Sequence, residues 1–276
     1  MDSNSSRNLI LQDSDLGLPG VRCCEVYYPD SIADAFRCLK PNGYDIVNLI
    51  HIDQNQISSL ASICHHVYQK TSTIRIDLNL DENIILENFS ATLRNNCRNG
   101  MASPDLSLRI YQPNRDQILG FCDHLKSFYL NHLKLNNDLS FYYNHHSLLE
   151  DCGNLFYSDT FFKEKMIKRR SYLVNHKLAR LLNSIQLNPA LTTVDKKTVG
   201  FANAASHWND ICFFKKNGYH VYDLGGVHSD MRDGVSQYKS KFSKIITNLY
   251  DVFFPISPRG QSCMRSIAQR WSFKGG

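Results

Sequence analysis

Two periods of apolar and polar residues alternate along the chain and mark out its elements. VRCCEVYY (21–28) and YDIVNLIHI (44–52) are rich in β-branched and aromatic residues and read as strands. Between them SIADAFRCL (31–39) reads as a short helix ended by Pro41-Asn42-Gly43, and residues 55–69 as another helix. TIRIDLNL (73–80) places Ile74, Ile76 and Leu78 on one face, as a half-buried strand does. In DENIILENFSATLRNNCRNG (81–100) the spacing changes to that of a helix. Asp81 is placed to cap it, Ile84, Ile85, Phe89 and Leu93 share a face, and Gly100 follows the last turn. LSLRIY (106–111) reads as a strand, 114–133 as a helix, and 134–153 as a loop with helical pieces. A short helix near 158–167 is expected to lead into the basic run KEKMIKRR (163–170). SYLVN (171–175) and LARLLNSIQ (178–186) read as a β-hairpin about His176-Lys177. The remainder is a helix from Gly200 to Lys216, the strand HVYDL (220–224), and the strand KIITNLYDVFF (244–254) closed by Pro255.

Strands alternating with helices predict an α/β (α+β) protein, a mixed sheet flanked by helices. A chain of 276 residues suits one large domain or two small lobes. The expected division is a flexible leader over 1–20, an N-terminal lobe over 21–150 and a C-terminal lobe over 151–276. The N-terminal residues lack a basic segment followed by an apolar run, so no signal peptide is expected. No run of about 18 apolar residues is present, so no membrane span is expected either. The nine cysteines form no C-x-x-C pair, which suits reduced thiols in a cytoplasmic protein, with Cys23-Cys24 structural rather than metal-binding.

Charge sharpens the picture. Residues 1–150 hold 12 Lys and Arg against 17 Asp and Glu, whereas residues 151–276 hold 19 against 9. A basic second half suits a phosphorylated ligand such as a coenzyme, a nucleotide-linked substrate or RNA, or is an ordinary solvated face.

The residue types that carry chemistry gather in that half. In VGFANAASHWNDICFFKKNG (199–218), Phe201, Ala205, Trp208 and Cys212 make the expected apolar face, and Asn203, His207 and Asp210 an adjoining polar one. The helix delivers the chain into HVYDLGG, where Asp223 stands at the carboxyl end of a strand, the position at which α/β folds place ligands. Gly225 and Gly226 allow a sharp turn or close approach of a ligand, and a tight turn capped by Asp223 is the plainer alternative. His228, Asp230 and Asp233 have no metal-ligand spacing, and no metal is expected. In GVSQYKSKFS (234–243), Tyr238 and Phe242 can pack inward on one helical turn while Lys239 and Lys241 point elsewhere.

The order helix, YDLGG, loop, GVSQYKSKFS resembles the C-terminal signature of FemABX-like acyltransferases, part of the GNAT-like superfamily. TIRIDLNLDENIILENFSATLRNNCRNG looks like the family's central segment, so the resemblance covers roughly residues 70–255. The chain departs from the family pattern at Phe201, Ala204, Tyr238 and Ser243, and it lacks an Arg-x-x-Gly-x-Gly/Ala pyrophosphate loop. The resemblance implies a GNAT-like mixed sheet in two lobes of the same general type. It also implies transfer of an acyl or aminoacyl group to an amine on a cell-envelope glycan precursor or small molecule. The donor would be acyl-CoA, a carrier protein or aminoacyl-tRNA, with no metal and no tightly bound cofactor. tRNA is then a candidate partner, and DNA is not. On the family's pattern Lys239 is the oxyanion or phosphate contact, and Tyr222 and Asp223 line the strand end, Asp223 as base or amine anchor. Asn203, His207 and Trp208 shape the substrate side, with Gly225, Gly226 and Lys241 around the bound groups. Two rivals remain: a non-catalytic binding module of the same fold for a nucleotide-linked glycan or RNA, and an RNA-binding protein. KEKMIKRRSYL has the basic residues for the latter but little of the aromatic interleaving.

Overall fold

A computed structural model describes residues 10–14, 20–27, 43–59, 66–130, 140–175, 177–187, 196–228 and 230–272. In chain order the elements begin with β1 (Ile10–Ser14), β2 (Cys23–Tyr27), β3 (Ile46–Ile52), α1 (Gln54–Ser59) and β4 (His66–Asp77). Next come α2 (Glu82–Asn88), α3 (Ala91–Met101), β5 (Leu106–Tyr111), α4 (Arg115–Phe128), α5 (Ser140–Asp151), β6 (Leu155–Phe162), β7 (Lys165–Val174) and β8 (Leu178–Gln186). The last are α6 (Lys196–Lys216), β9 (Val221–Val227), α7 (Gly234–Lys239), β10 (Ile246–Pro255) and α8 (Pro258–Ser272). The fold is mixed α/β, as expected. Among the described residues no helix is long and apolar enough to cross a membrane.

The chain forms two compact units, Met1–Thr73 with Thr247–Gly276, and Ile74–Ile246. In the first, the strand order is β1-β2-β3-β10. β1 and β2 are antiparallel, β2 and β3 parallel, and β3 and β10 antiparallel with an irregularity between Tyr250 and Val252. Alternation sorts its side chains. Cys24, Val26, Val47, Leu49, Val252 and Phe254 build one apolar cluster. Cys23, Ile46 and Phe253 point the other way, to Met264 and Ile267 of α8.

The second unit carries the order β4-β9-β8-β7-β6-β5. β5 to β8 form an antiparallel meander. β8 and β9 are parallel, which requires a crossover, and α6 supplies it. The core beneath α6 holds Ile74, Ile76, Phe89, Leu93, Tyr172, Ile211, Phe214, Tyr222 and Phe242.

Several expectations are corrected. The units divide at 73/74 and 246/247, and the expected division at 150/151 coincides with neither. The chain runs through 150 without a break because α5 packs on α4 and β6, whereas β10 returns to β3. β1 falls within the expected leader, whose other residues up to 19 lie outside the described ones, as does the 31–39 helix. The helix expected near 158–167 is the β6–β7 hairpin. Its turn uses Lys163 (φ 48°) and Glu164 (φ 64°), a backbone usually supplied by Asn-Gly. The 81–100 helix is two, because Ser90 caps α3 by accepting from Leu93 N at 3.3 Å. Residues 55–69 contain the end of α1 and the start of β4, and 60–65 lie outside the described residues.

Candidate active site

The parallel pair β8–β9 is in register over Leu178↔Val221, Ala179↔Tyr222 and Arg180↔Asp223. The site is built at the carboxyl end of this pairing, where parallel strands of α/β sheets present ligands. Asp223 is fully buried. Its Oδ2 accepts from Arg75 Nε at 3.1 Å and from Arg180 Nη1 at 3.0 Å, and its Oδ1 accepts from Gly225 N at 2.7 Å. A buried carboxylate needs such partners to offset its desolvation. Gly225 adopts φ +76°, and a Cβ there would lie 2.8 Å from Leu181 O, so both backbone angle and space demand glycine.

Gly226 turns its carbonyl to Lys239, whose Nζ donates to it at 2.8 Å. Lys239 is the last residue of α7, a helix capped by Asp233, which accepts from Val235 N and Ser236 N. Burial and the neighbouring Arg180 charge lower the Lys239 ammonium to about 8, against Asp223 and Asp233, which raise it. The structure therefore brings together the expected Asp223, Gly225, Gly226 and Lys239, and adds Arg75 and Arg180.

Tyr222 points to the opposite face, into the core beneath α6. Its hydroxyl lies 2.8 Å from both Tyr172 OH and His207 Nδ1. Tyr172 OH donates to Asp210 Oδ2 at 2.6 Å, and Ser158 Oγ donates to Asp210 Oδ1 at 2.6 Å. These bonds fix a direction. Tyr172 gives its one proton to Asp210, so its oxygen accepts from Tyr222. Tyr222 has then given its own proton, so His207 must donate from Nδ1, and Nε2 keeps a lone pair. Burial, then the charges of Arg170, Lys168 and Lys239, hold His207 well below the ordinary histidine range, so the ring is neutral.

The same face of β7 carries Lys168, Arg170 and Tyr172 at strand spacing, and they meet Asn203, Ser206 and Asp210 at helical spacing on α6. Asn203 Oδ1 accepts from Lys168 Nζ, and from Arg170 Nη2 at 2.9 Å. Arg170 Nη2 also donates to Ser206 Oγ at 2.8 Å. This corrects the expected orientation of α6. Ser206, His207 and Asp210 are buried, while Phe201, Trp208 and Cys212 are half-buried. The polar face turns inward because β7 supplies it with polar partners.

Trp208 and Lys241 are not brought to the site. Trp208 packs edge-on against Phe89, with ring centroids 5.8 Å apart. The Lys241 side chain is exposed, and its backbone carbonyl accepts from Ser90 N. Ala204 is fully buried, and its carbonyl accepts from Cys97 Sγ, which explains a small residue there. Asp233 caps α7 and Asp230 pairs with Arg232. Among the described residues no three His, Cys, Asp or Glu side chains are grouped to hold a metal ion. Two concavities open elsewhere on this unit, one of about 270 Å³ beside Gly100 and Phe201 and one of about 620 Å³ beside Cys212 and Lys215.

No family model matches the chain, and no curated protein matches its sequence. Solved structures match it in shape. FemX superposes with a TM-score of 0.67 at 9% identity, over 93% of this chain and 86% of that one. A domain assigned as the C-terminal domain of a lysylphosphatidylglycerol synthetase from Agrobacterium fabrum gives 0.54 at 14% identity, over 97% and 87%. L-PGS from Bacillus licheniformis gives 0.53 at 12% identity, over 93% and 84%. The chain has the fold of FemX.

Proposed function

We propose that this chain is an N-acyltransferase. It moves an acyl or aminoacyl group from a CoA, carrier-protein or tRNA donor to an amine on a cell-envelope glycan precursor or a small molecule, and works in the cytoplasm where those donors are made. The observation that carries the reading is the half-buried ammonium of Lys239, held at Gly226 in the end of β9 beyond its pairing with β8, beside Arg180. Fold likeness and the YDLGG and GVSQYKSKFS motifs support it.

The chemistry asks little of the protein beyond placement and charge. The neutral amine attacks the donor carbonyl, a C–N bond forms, and the carbonyl electron pair moves onto oxygen. An N–H of Lys239 stabilises that oxyanion, or a donor phosphate. The carbonyl re-forms as the C–S or C–O bond breaks, and the leaving group takes up the proton that the amine releases. Asp223 holds Arg180 and the backbone at Gly225 in place. The buried hydroxyl chain keeps Tyr222 and His207 in one arrangement beneath the strand. The reading uses no metal and no tightly bound cofactor.

The test is incubation with acyl-CoA mixtures, or with charged tRNA, and amine acceptors at low salt. Amine-dependent release of free thiol or of deacylated tRNA is expected, with donor binding that weakens as salt rises, because the donors are polyanions and the second half of the chain is basic. Absence of binding to every donor class at low salt would falsify the reading. Binding without turnover would favour a non-catalytic module of the same fold.

A further inference from the structure

Arg170 is fully buried, and its hydrogen bonds account for only part of its guanidinium. Nη2 is engaged by Asn203 and Ser206 of α6. Nη1 stands 3.6 Å from Asp210 Oδ2, which is ion-pair range but beyond a hydrogen bond. Asp210 accepts instead from the Ser158 and Tyr172 hydroxyls, one on each oxygen. Nε and Nη1 have no hydrogen-bond partner among the described residues, and neither does the enclosed hydroxyl of Tyr238. The two residues sense one another: burial pushes the Tyr238 hydroxyl up and the charge of Arg170 pulls it down. The Tyr238 ring also stands 6.1 Å from that of His207, whose Nε2 carries a lone pair.

Enclosed donors left unmatched are rare, and those on a charged group cost most. Here they lie on neighbouring elements, Arg170 on β7 against Asn203 and Ser206 of α6, and Tyr238 on α7 with its ring against His207 of α6. We infer that the Nε–Nη1 edge of Arg170 and the hydroxyl of Tyr238 form a binding position for a carboxylate group of a ligand.

Two features favour that chemistry. The Nε–Nη1 edge is a planar two-donor fork of the kind that grips both oxygens of a carboxylate. With Tyr238 OH, the donors number three, which suits two carboxylate oxygens and leaves a phosphate group under-partnered. Tyr238 is half-buried on the six-residue α7, so its side of the position is the one nearest solvent. The inference stands apart from acyl transfer, since it concerns binding alone.

The experiment uses the full chain and Tyr238→Phe, with sodium acetate and inorganic phosphate as probes and sodium chloride at matched ionic strength as control. Thermal unfolding and calorimetric titration are the readouts. Acetate should raise the unfolding temperature of the wild type in a saturable way that chloride does not reproduce. Tyr238→Phe should fold and bind acetate about tenfold or more weakly, the usual cost of one lost hydrogen bond to a charged group. Arg170→Lys, which keeps the charge and loses the fork, should abolish the response. If it fails to fold, Tyr238→Phe decides alone. A saturable response unchanged in Tyr238→Phe overturns the site. So does the absence of an acetate response in the wild type, and a gain in stability of Tyr238→Phe beside it would mean that the hydroxyl is buried without serving a ligand. A response to phosphate but not acetate overturns the carboxylate assignment.

Discussion

Lys239 shows how one residue's surroundings set its chemistry. Its ammonium is lowered to about 8 by burial and by Arg180, so it is charged at neutral pH yet close to losing its proton. A lysine that stabilises an oxyanion must be protonated, so the contribution it makes is present below about 8 and lost as pH rises through that value. Lys239→Ala should cut turnover roughly a hundredfold, the usual cost of one such donor. Thermal stability should change little, since the side chain is only half-buried and water can replace its bond at Gly226 O. Lys239→Arg keeps its charge at all working pH and should move the alkaline limb of the rate profile upward. A limb that stays near 8 in Lys239→Arg removes the lysine from that role. The exposed Lys241→Ala serves as the control and should retain most of the activity. If Lys239→Ala loses donor affinity rather than turnover, the ammonium binds phosphate instead.

At the scale of elements, the sequence pattern was legible where a face is apolar and misleading where the buried face is polar. β9 and its glycines, β5, the β7–β8 hairpin and the existence of α6 follow from alternation, helical spacing and turn residues. Tyr222, Asp223, Gly225, Gly226 and Lys239 stand close together in the chain, so a local motif could gather them. Arg75 and Arg180 reach Asp223, and Arg170 and Tyr172 reach the buried network on the other face of β9, from distant strands, and no local spacing announces them. The run KEKMIKRR looks like a solvated charge run, yet Arg169 and Arg170 are both buried, because strand alternation sends one to Asp159 and the other to α6. Ser158, Asp159 and Thr160 mislead in the same way, being polar residues buried on β6. The spacing puts Gly100 just after a helix, but it lies inside α3, where it sets the approach of α6. A Cβ there would fall 2.4 Å from Phe201 O and 2.6 Å from Ala205 Cβ. Gly100→Ala should therefore destabilise the protein by about 1–3 kcal/mol in chemical denaturation, despite alanine's better helix propensity. Gly120 in the middle of α4 has nothing within 4 Å of such a Cβ, and Gly120→Ala should stabilise by up to about 1 kcal/mol. Equal effects at the two positions would contradict the close contact of α3 and α6.

For the molecule as a whole, buried histidines make stability depend on pH. His146 of α5 lies between Phe121 of α4 and Tyr157 of β6, with Nδ1 3.0 Å from Tyr157 OH. Burial lowers it to about 3, with the neighbouring His145 adding to the effect, and burial lowers His145 to about 4. His207 is held well below its ordinary value too, by burial and by Arg170, Lys168 and Lys239. In the unfolded chain each titrates near 6.5. Below that value the unfolded state binds protons that the folded state refuses, so these groups leave stability intact above about 6.5 and erode it as pH falls. The erosion continues until the folded values are reached, and each histidine contributes about 1.4 kcal/mol per pH unit in that window. The midpoint of urea unfolding should accordingly drop steeply from pH 7 to pH 5. His146→Phe, which preserves the aromatic contacts with Phe121 and Tyr157 but cannot take up a proton, should flatten that slope by about one proton's worth. A slope identical to that of the wild type would show that His146 is free to protonate in the folded protein, and that the packing of α4 and α5 on β6 does not exclude the charge.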